Sequence, residues 1–183
     1  MKTETLSAAL PEAVEDLAVR VLEVACDQKL TIATAESCTG GLISSLLTDV
    51  EGSSHAFECG LATYSDAAKI DLLGVSHDLI NTRGAVSAEV ALAMVEGALK
   101  VSRADVAIAV TGFAGPAGPG DEPGLVYFAC KRRGAFSQMR EEHFGNVGRG
   151  QVRIAATKIA LQMLLEATIE RLPREKAPGH SPV

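Results

Sequence analysis

Three residues bearing a hydroxyl or a thiol, Ser37, Cys38 and Thr39, stand directly before Gly40-Gly41, between an apolar run at 30–35 and the sequence Leu42-Ile43-Ser44-Ser45-Leu46-Leu47. Each could attack a carbonyl, provided that a base takes its proton and that donors hold the oxyanion. The first amides of a helix lack internal partners and carry the positive end of its dipole, so a strand-turn-helix here suits a phosphate, a carboxylate or a developing oxyanion. Gly40 and Gly41 keep that turn free of bulk. Serine and threonine before a helix also act as simple caps, and the turn alone does not choose between the two roles.

Candidates for the base and for anion binding lie elsewhere in the chain. Ser65-Asp66 reads as a helix cap that places Lys69 in the first turn. The positive end of the dipole there depresses a lysine's pKa, as a catalytic base requires, although a lysine at such a position is also an ordinary solvated charge. Arg149 and Arg153 fall one turn apart at the start of the last helix, opposed to its dipole, which gives them a motive to bind an anion. The segment 111–120 holds four glycines and two prolines directly after an apolar strand, where open α/β sheets carry ligand loops. The four histidines are scattered and the four cysteines form no C-x-x-C pair, so we expect no metal site, no disulfide and no bound cofactor. Without a usable histidine, Ser37 with Lys69 suggests a Ser-Lys hydrolase. A Cys38 thiolate activated by the helix start is the competing nucleophile.

The elements that must position these groups follow from periodicity. Val14, Leu17, Ala18, Val21, Leu22 and Ala25 predict an amphipathic helix from Pro11 to near Gln28, and a strand follows at 30–35. Leu42, Ile43, Leu46, Leu47 and Val50 share one helical face. A strand at 56–64 leads to the Lys69 helix, which ends at Gly74. The stretch 81–86 reads as a loop, and Ser87 opens a helix burying Val90, Ala91, Met94, Val95, Ala98 and Leu99. Strands are expected at 105–110, 124–131 and, at an edge, 135–144. The last helix, about 151–171, has an apolar stripe wide enough to suggest cover by the sheet and by another surface, such as a second subunit. Strands alternating with helices imply an α/β/α sandwich with a mostly parallel or mixed sheet, whose loops share one rim.

At 183 residues and 47% hydrophobic content, the chain has material for one core, and we expect one domain at 11–172 between a flexible leader at 1–10 and a disordered tail at 173–183. The N-terminus lacks a signal-peptide layout and no apolar run is long enough to span a membrane, which predicts a cytoplasmic protein with no membrane partner. A net charge of −6 without a basic run argues against a nucleic-acid partner and for a small molecule.

Four segments in order, Ala35-Glu36-Ser37-Cys38-Thr39-Gly40-Gly41, Thr63-Tyr64-Ser65-Asp66-Ala67-Ala68-Lys69, Gly84-Ala85-Val86-Ser87 and Val110-Thr111-Gly112-Phe113-Ala114-Gly115-Pro116, resemble the CinA C-terminal domain family across about 17–165. The resemblance implies a nicotinamide-nucleotide amidohydrolase: nicotinamide mononucleotide and water would yield nicotinate mononucleotide and ammonia, without a metal, in pyridine nucleotide salvage. It makes Ser37 the nucleophile and Lys69 its base. It places Glu36, Thr39, Gly40, Gly41, Tyr64, Thr111, Gly112, Gly115, Arg149 and Arg153 around the substrate, with Arg153 on the phosphate or the ring carbonyl. The chain departs from the family's Gly-Asp-Arg before the last helix, reading Val147-Gly148-Arg149. Longer members carry a first domain resembling a molybdopterin-binding fold and linked to competence and DNA damage. The expectation is a chain without that domain, which favours the amidase over a non-catalytic interaction module.

Overall fold

A computed structural model describes residues 10–53, 55–115 and 117–169. The expected leader, apart from Leu10, and the expected tail lie outside the described residues. In chain order the elements are α1 (Glu12–Gln28), β1 (Ile32–Glu36), α2 (Leu42–Thr48), β2 (Phe57–Ala62), α3 (Asp66–Leu73), α4 (His77–Arg83), α5 (Ala88–Val101), β3 (Val106–Gly112), β4 (Leu125–Arg132), β5 (Gln138–His143) and α6 (Arg149–Ile169).

The five strands make one mixed sheet in the order β2-β1-β3-β4-β5. The first three run parallel, and β4 and β5 run antiparallel to their neighbours. The central strands alternate large and small side chains. Val106, Ile108 and Val110 of β3 join Ile32 of β1 in the core shared with α1, α2 and α6. Ala107 and Ala109, with Ala33 and Ala35 of β1, face α5 and the helices beside it. The result is a three-layer α/β/α sandwich, with small residues letting the α5 layer approach closely.

The predicted caps are in place. Ser65 accepts from the Ala68 amide at 3.1 Å and Ser87 from the Val90 amide at 3.3 Å. Residues 81–83, expected in a loop, close the short helix α4, whose cap is Ser76 and whose buried residue is Ile80. Helix α1 packs along α6 and covers part of its wide stripe. No helix among the described residues is long and apolar enough to cross a membrane.

Gly97 marks the tightest helix contact. A Cβ there would lie 2.1 Å from the Leu73 carbonyl oxygen at the end of α3, so α3 and α5 touch through backbone. Gly97→Ala should therefore cost about 1–3 kcal/mol of stability. A urea midpoint equal to that of the parent would show that the two helices are not packed this closely.

Candidate active site

The parallel register sets the site. Glu36 at the end of β1 pairs with Ala62 of β2 and with Val110 of β3, so the next residues, Ser37, Thr63 and Thr111, emerge side by side at one rim. The connections from β1 and from β2 leave on opposite faces, which makes this rim the switch point where such sheets bind ligands. Ser37 is anchored by its own backbone. Its amide donates to the Val110 carbonyl at 2.9 Å, and its carbonyl accepts from the Gly40 amide at 3.1 Å. Gly40 and Gly41 have φ of 63° and 90°, a left-handed path that closes the turn and admits little besides glycine.

Lys69 is brought to Ser37 across the layers. It is 1% exposed, and its Nζ lies 3.1 Å from Ser37 Oγ, 3.0 Å from the Thr63 carbonyl oxygen and 3.4 Å from that of Tyr64. A neutral amine has two N–H donors and one lone pair. Those three oxygens satisfy either an ammonium that donates to all of them or a neutral amine that accepts the Ser37 proton, and burial favours the neutral form. Burial lowers the Lys69 pKa, against the raising influence of Asp66 and Cys38. Cys38 behaves otherwise: burial pushes its thiol up to about 12, so it carries no thiolate near neutral pH.

Glu36 does not face a ligand. It is 1% exposed, and its carboxylate accepts from the amides of Gly41, Ile43 and Ser44 at 3.0, 3.1 and 2.9 Å, and from the hydroxyls of Ser44 and Thr34 at 2.6 and 3.2 Å. The start of α2, which the sequence offers to a substrate anion, is thus capped by the protein's own carboxylate. Glu36 holds the Ser37 turn instead of substrate. Within that turn, the amides of Cys38 and Thr39 make no hydrogen bond to another residue among the described residues, which leaves them as the donors open to an oxyanion.

The remaining candidates divide between lining and scaffold. Thr111 is fully buried and its hydroxyl donates to the Ala85 carbonyl at 2.8 Å, tying β3 to the 84–87 loop. A Cβ at Gly112 would lie 2.7 Å from the Leu125 carbonyl oxygen, so that glycine serves β4. Tyr64 is 69% exposed and reaches Lys69 only through its carbonyl. Arg153 donates through Nε and Nη2 to the Thr39 carbonyl at 3.1 and 2.6 Å. Arg149, the first residue of α6, lies over Gly115. Thr39 and Thr63 each keep a buried hydroxyl with no hydrogen-bond partner.

Comparison with known proteins places the chain in a family. The model of the CinA C-terminal domain matches residues 14–168. The chain belongs to this family. A CinA-like protein of Geotalea daltonii is 48% identical over 144 residues, covering 77% of this chain and 34% of that protein. The chain spans about a third of the length of the curated CinA relatives it matches. Among solved structures, competence/damage inducible protein CihA from Agrobacterium tumefaciens superposes with a TM-score of 0.85 at 42% identity, covering 87% of this chain and 98% of that one. A CinA superfamily protein from Escherichia coli gives 0.80 at 32% identity, covering 91% and 98%.

In this CinA domain the matched span takes in the rim from Ser37 to Arg153. Thr63 is the member that reading the residues singly did not pick out. Its role is carried by a main-chain carbonyl, which no side-chain type signals, but it follows β2 as Ser37 follows β1, and that parallel placement is the available clue.

Proposed function

We propose that this CinA domain hydrolyses the carboxamide of nicotinamide mononucleotide to the carboxylate and ammonia. The observation that carries the reading is a lysine amine, 1% exposed, 3.1 Å from the hydroxyl of a serine held in a glycine-closed turn. Lys69 accepts the Ser37 proton as Oγ attacks the amide carbon. The oxyanion that forms is held by the Cys38 and Thr39 amides. Lys69 then hands its proton to the departing nitrogen, ammonia leaves, and Ser37 carries the acyl ester. A water gives a proton to Lys69 and attacks the ester, and the proton returns to Ser37 as the carboxylate departs. The cycle needs no metal. A lysine desolvated beside Ser37 favours this reading over a non-catalytic module.

The test is ammonia release from nicotinamide mononucleotide by purified protein in EDTA. Activity should persist. Loss in EDTA with restoration by zinc or manganese would overturn the Ser-Lys reading.

The lowered Lys69 pKa also sets pH behaviour. A free lysine has a pKa of about 10.4 and is neutral in roughly one molecule in 2,500 at pH 7. The rate should rise with pH through an apparent pKa below that value. Stability follows the same ionisation, because between the lowered folded pKa and about 10.4 the unfolded chain binds one more proton at Lys69. The stability of the parent relative to Lys69→Met should therefore increase with pH across that window and level off above it. A difference that is flat across the window, measured by urea unfolding, would show that the folded lysine titrates normally.

A further inference from the structure

Arg153 and Arg149 stand one turn apart on α6, yet their surroundings differ in kind. Arg153 spends two donors on the Thr39 carbonyl, which also accepts from the Leu42 amide at 3.3 Å. The amide on the other side of that same Thr39–Gly40 peptide unit donates to the Ser37 carbonyl at 3.1 Å. A peptide unit is planar and rigid, so a clamp on its oxygen fixes the direction of its N–H, and with it the Ser37 main chain. Ser37 is thus held from β3 through Val110 and from α6 through Arg153.

Arg149 is exposed, and its guanidinium makes no hydrogen bond or ion pair among the described residues. It lies so close to Gly115 that a Cβ there would sit 2.5 Å from Nη2 and 2.9 Å from Cζ. A side chain at 115 would displace it. A fork of five N–H donors, held beside Gly115 and unspent on protein, is suited to a phosphate, whereas the fork of Arg153 is already partly occupied.

We infer that the two arginines divide the work: Arg153 is a positioning residue that fixes Ser37 through the Thr39–Gly40 peptide, and Arg149 binds the anionic group of the substrate. The assignment rests on the amidase reading above and gives it a specificity residue. The two roles separate in kinetics. Positioning acts on the chemical step whatever the substrate carries, and phosphate binding is shared by ground and transition states and appears in KM.

The experiment compares nicotinamide mononucleotide with its dephosphorylated nucleoside, and adds the rate at which a neutral fluorophosphonate labels Ser37. Arg153→Ala should lower kcat on the order of 100-fold for both amides, slow the labelling, and leave the preference for the nucleotide as it is. Arg149→Ala should raise KM for the nucleotide and reduce the preference about 10- to 100-fold. Arg153→Lys, which keeps one donor for Thr39, should recover part of the lost kcat and guards against a folding defect in the alanine variant. Loss of the preference in Arg153→Ala with labelling kept, or an unchanged preference in Arg149→Ala, would overturn the assignment. Should neither amide be hydrolysed by the parent, the amidase reading fails separately. The labelling rates, together with inorganic phosphate titrated against parent and Arg149→Ala by NMR, still decide the division of roles: labelling slowed only in Arg153→Ala and phosphate shifts lost only in Arg149→Ala support it, and the reverse rejects it.

Discussion

Lys69→Arg is expected to lower kcat by about 10⁴-fold, because a guanidinium does not give up its proton in the working pH range and so cannot take one from Ser37. Lys69→Ala and Ser37→Ala should lose similar amounts. In the proposed mechanism the two groups, 3.1 Å apart, act in one step, so removing the second after the first should cost little more. Steady-state ammonia release by the three variants and by the Ser37→Ala, Lys69→Ala double variant forms the cycle. Losses that multiply in the double variant, or near-normal turnover by Lys69→Arg, would mean that the lysine only positions substrate.

Glu36→Gln should be the most damaging conservative change for stability. Five donors converge on the carboxylate, three of them the amides that open α2. A glutamine can offer one oxygen, and its NH₂ would face N–H groups, leaving buried donors unpaired and removing the negative charge from the positive end of the helix. We expect a loss of about 3 kcal/mol, which for a chain of this size lowers Tm by about 10 °C. Because Glu36 directly precedes Ser37, the proposed nucleophile, kcat should fall as well. A variant melting within a degree of the parent would show that the carboxylate does not organise the turn.

The sheet and its layers were readable from local pattern because both faces of β1 and β3 are buried, which demands continuous apolar runs, while turns and caps announce themselves through Gly74, Ser65 and Ser87. Helix α4 was not, since its seven residues are too few to show a period and Asn81-Thr82-Arg83 resemble a loop. At the site, the types and spacing of Ser37 and Lys69 point to nucleophile and base, and the fold places the two groups within hydrogen-bond distance. The destination of a side chain is another matter. Glu36 sits among ligand-type residues, yet its oxygens turn inward to α2, and Arg153 turns to the Thr39 carbonyl. The Glu36 outcome depends on the path of the turn between β1 and α2, and the Arg153 outcome on a contact between segments 114 residues apart. The same holds for α6, part of whose broad stripe is covered by α1, an element at the other end of the chain.

The account turns on the protonation state of one amine, and a heteronuclear NMR titration of the Lys69 side chain, assigned by its absence in Lys69→Met, measures it directly. Burial at 1% exposure predicts that Lys69 loses its proton below the 10.4 or so of a free lysine. Titration at or above that value would contradict it and remove Lys69 as the base for Ser37.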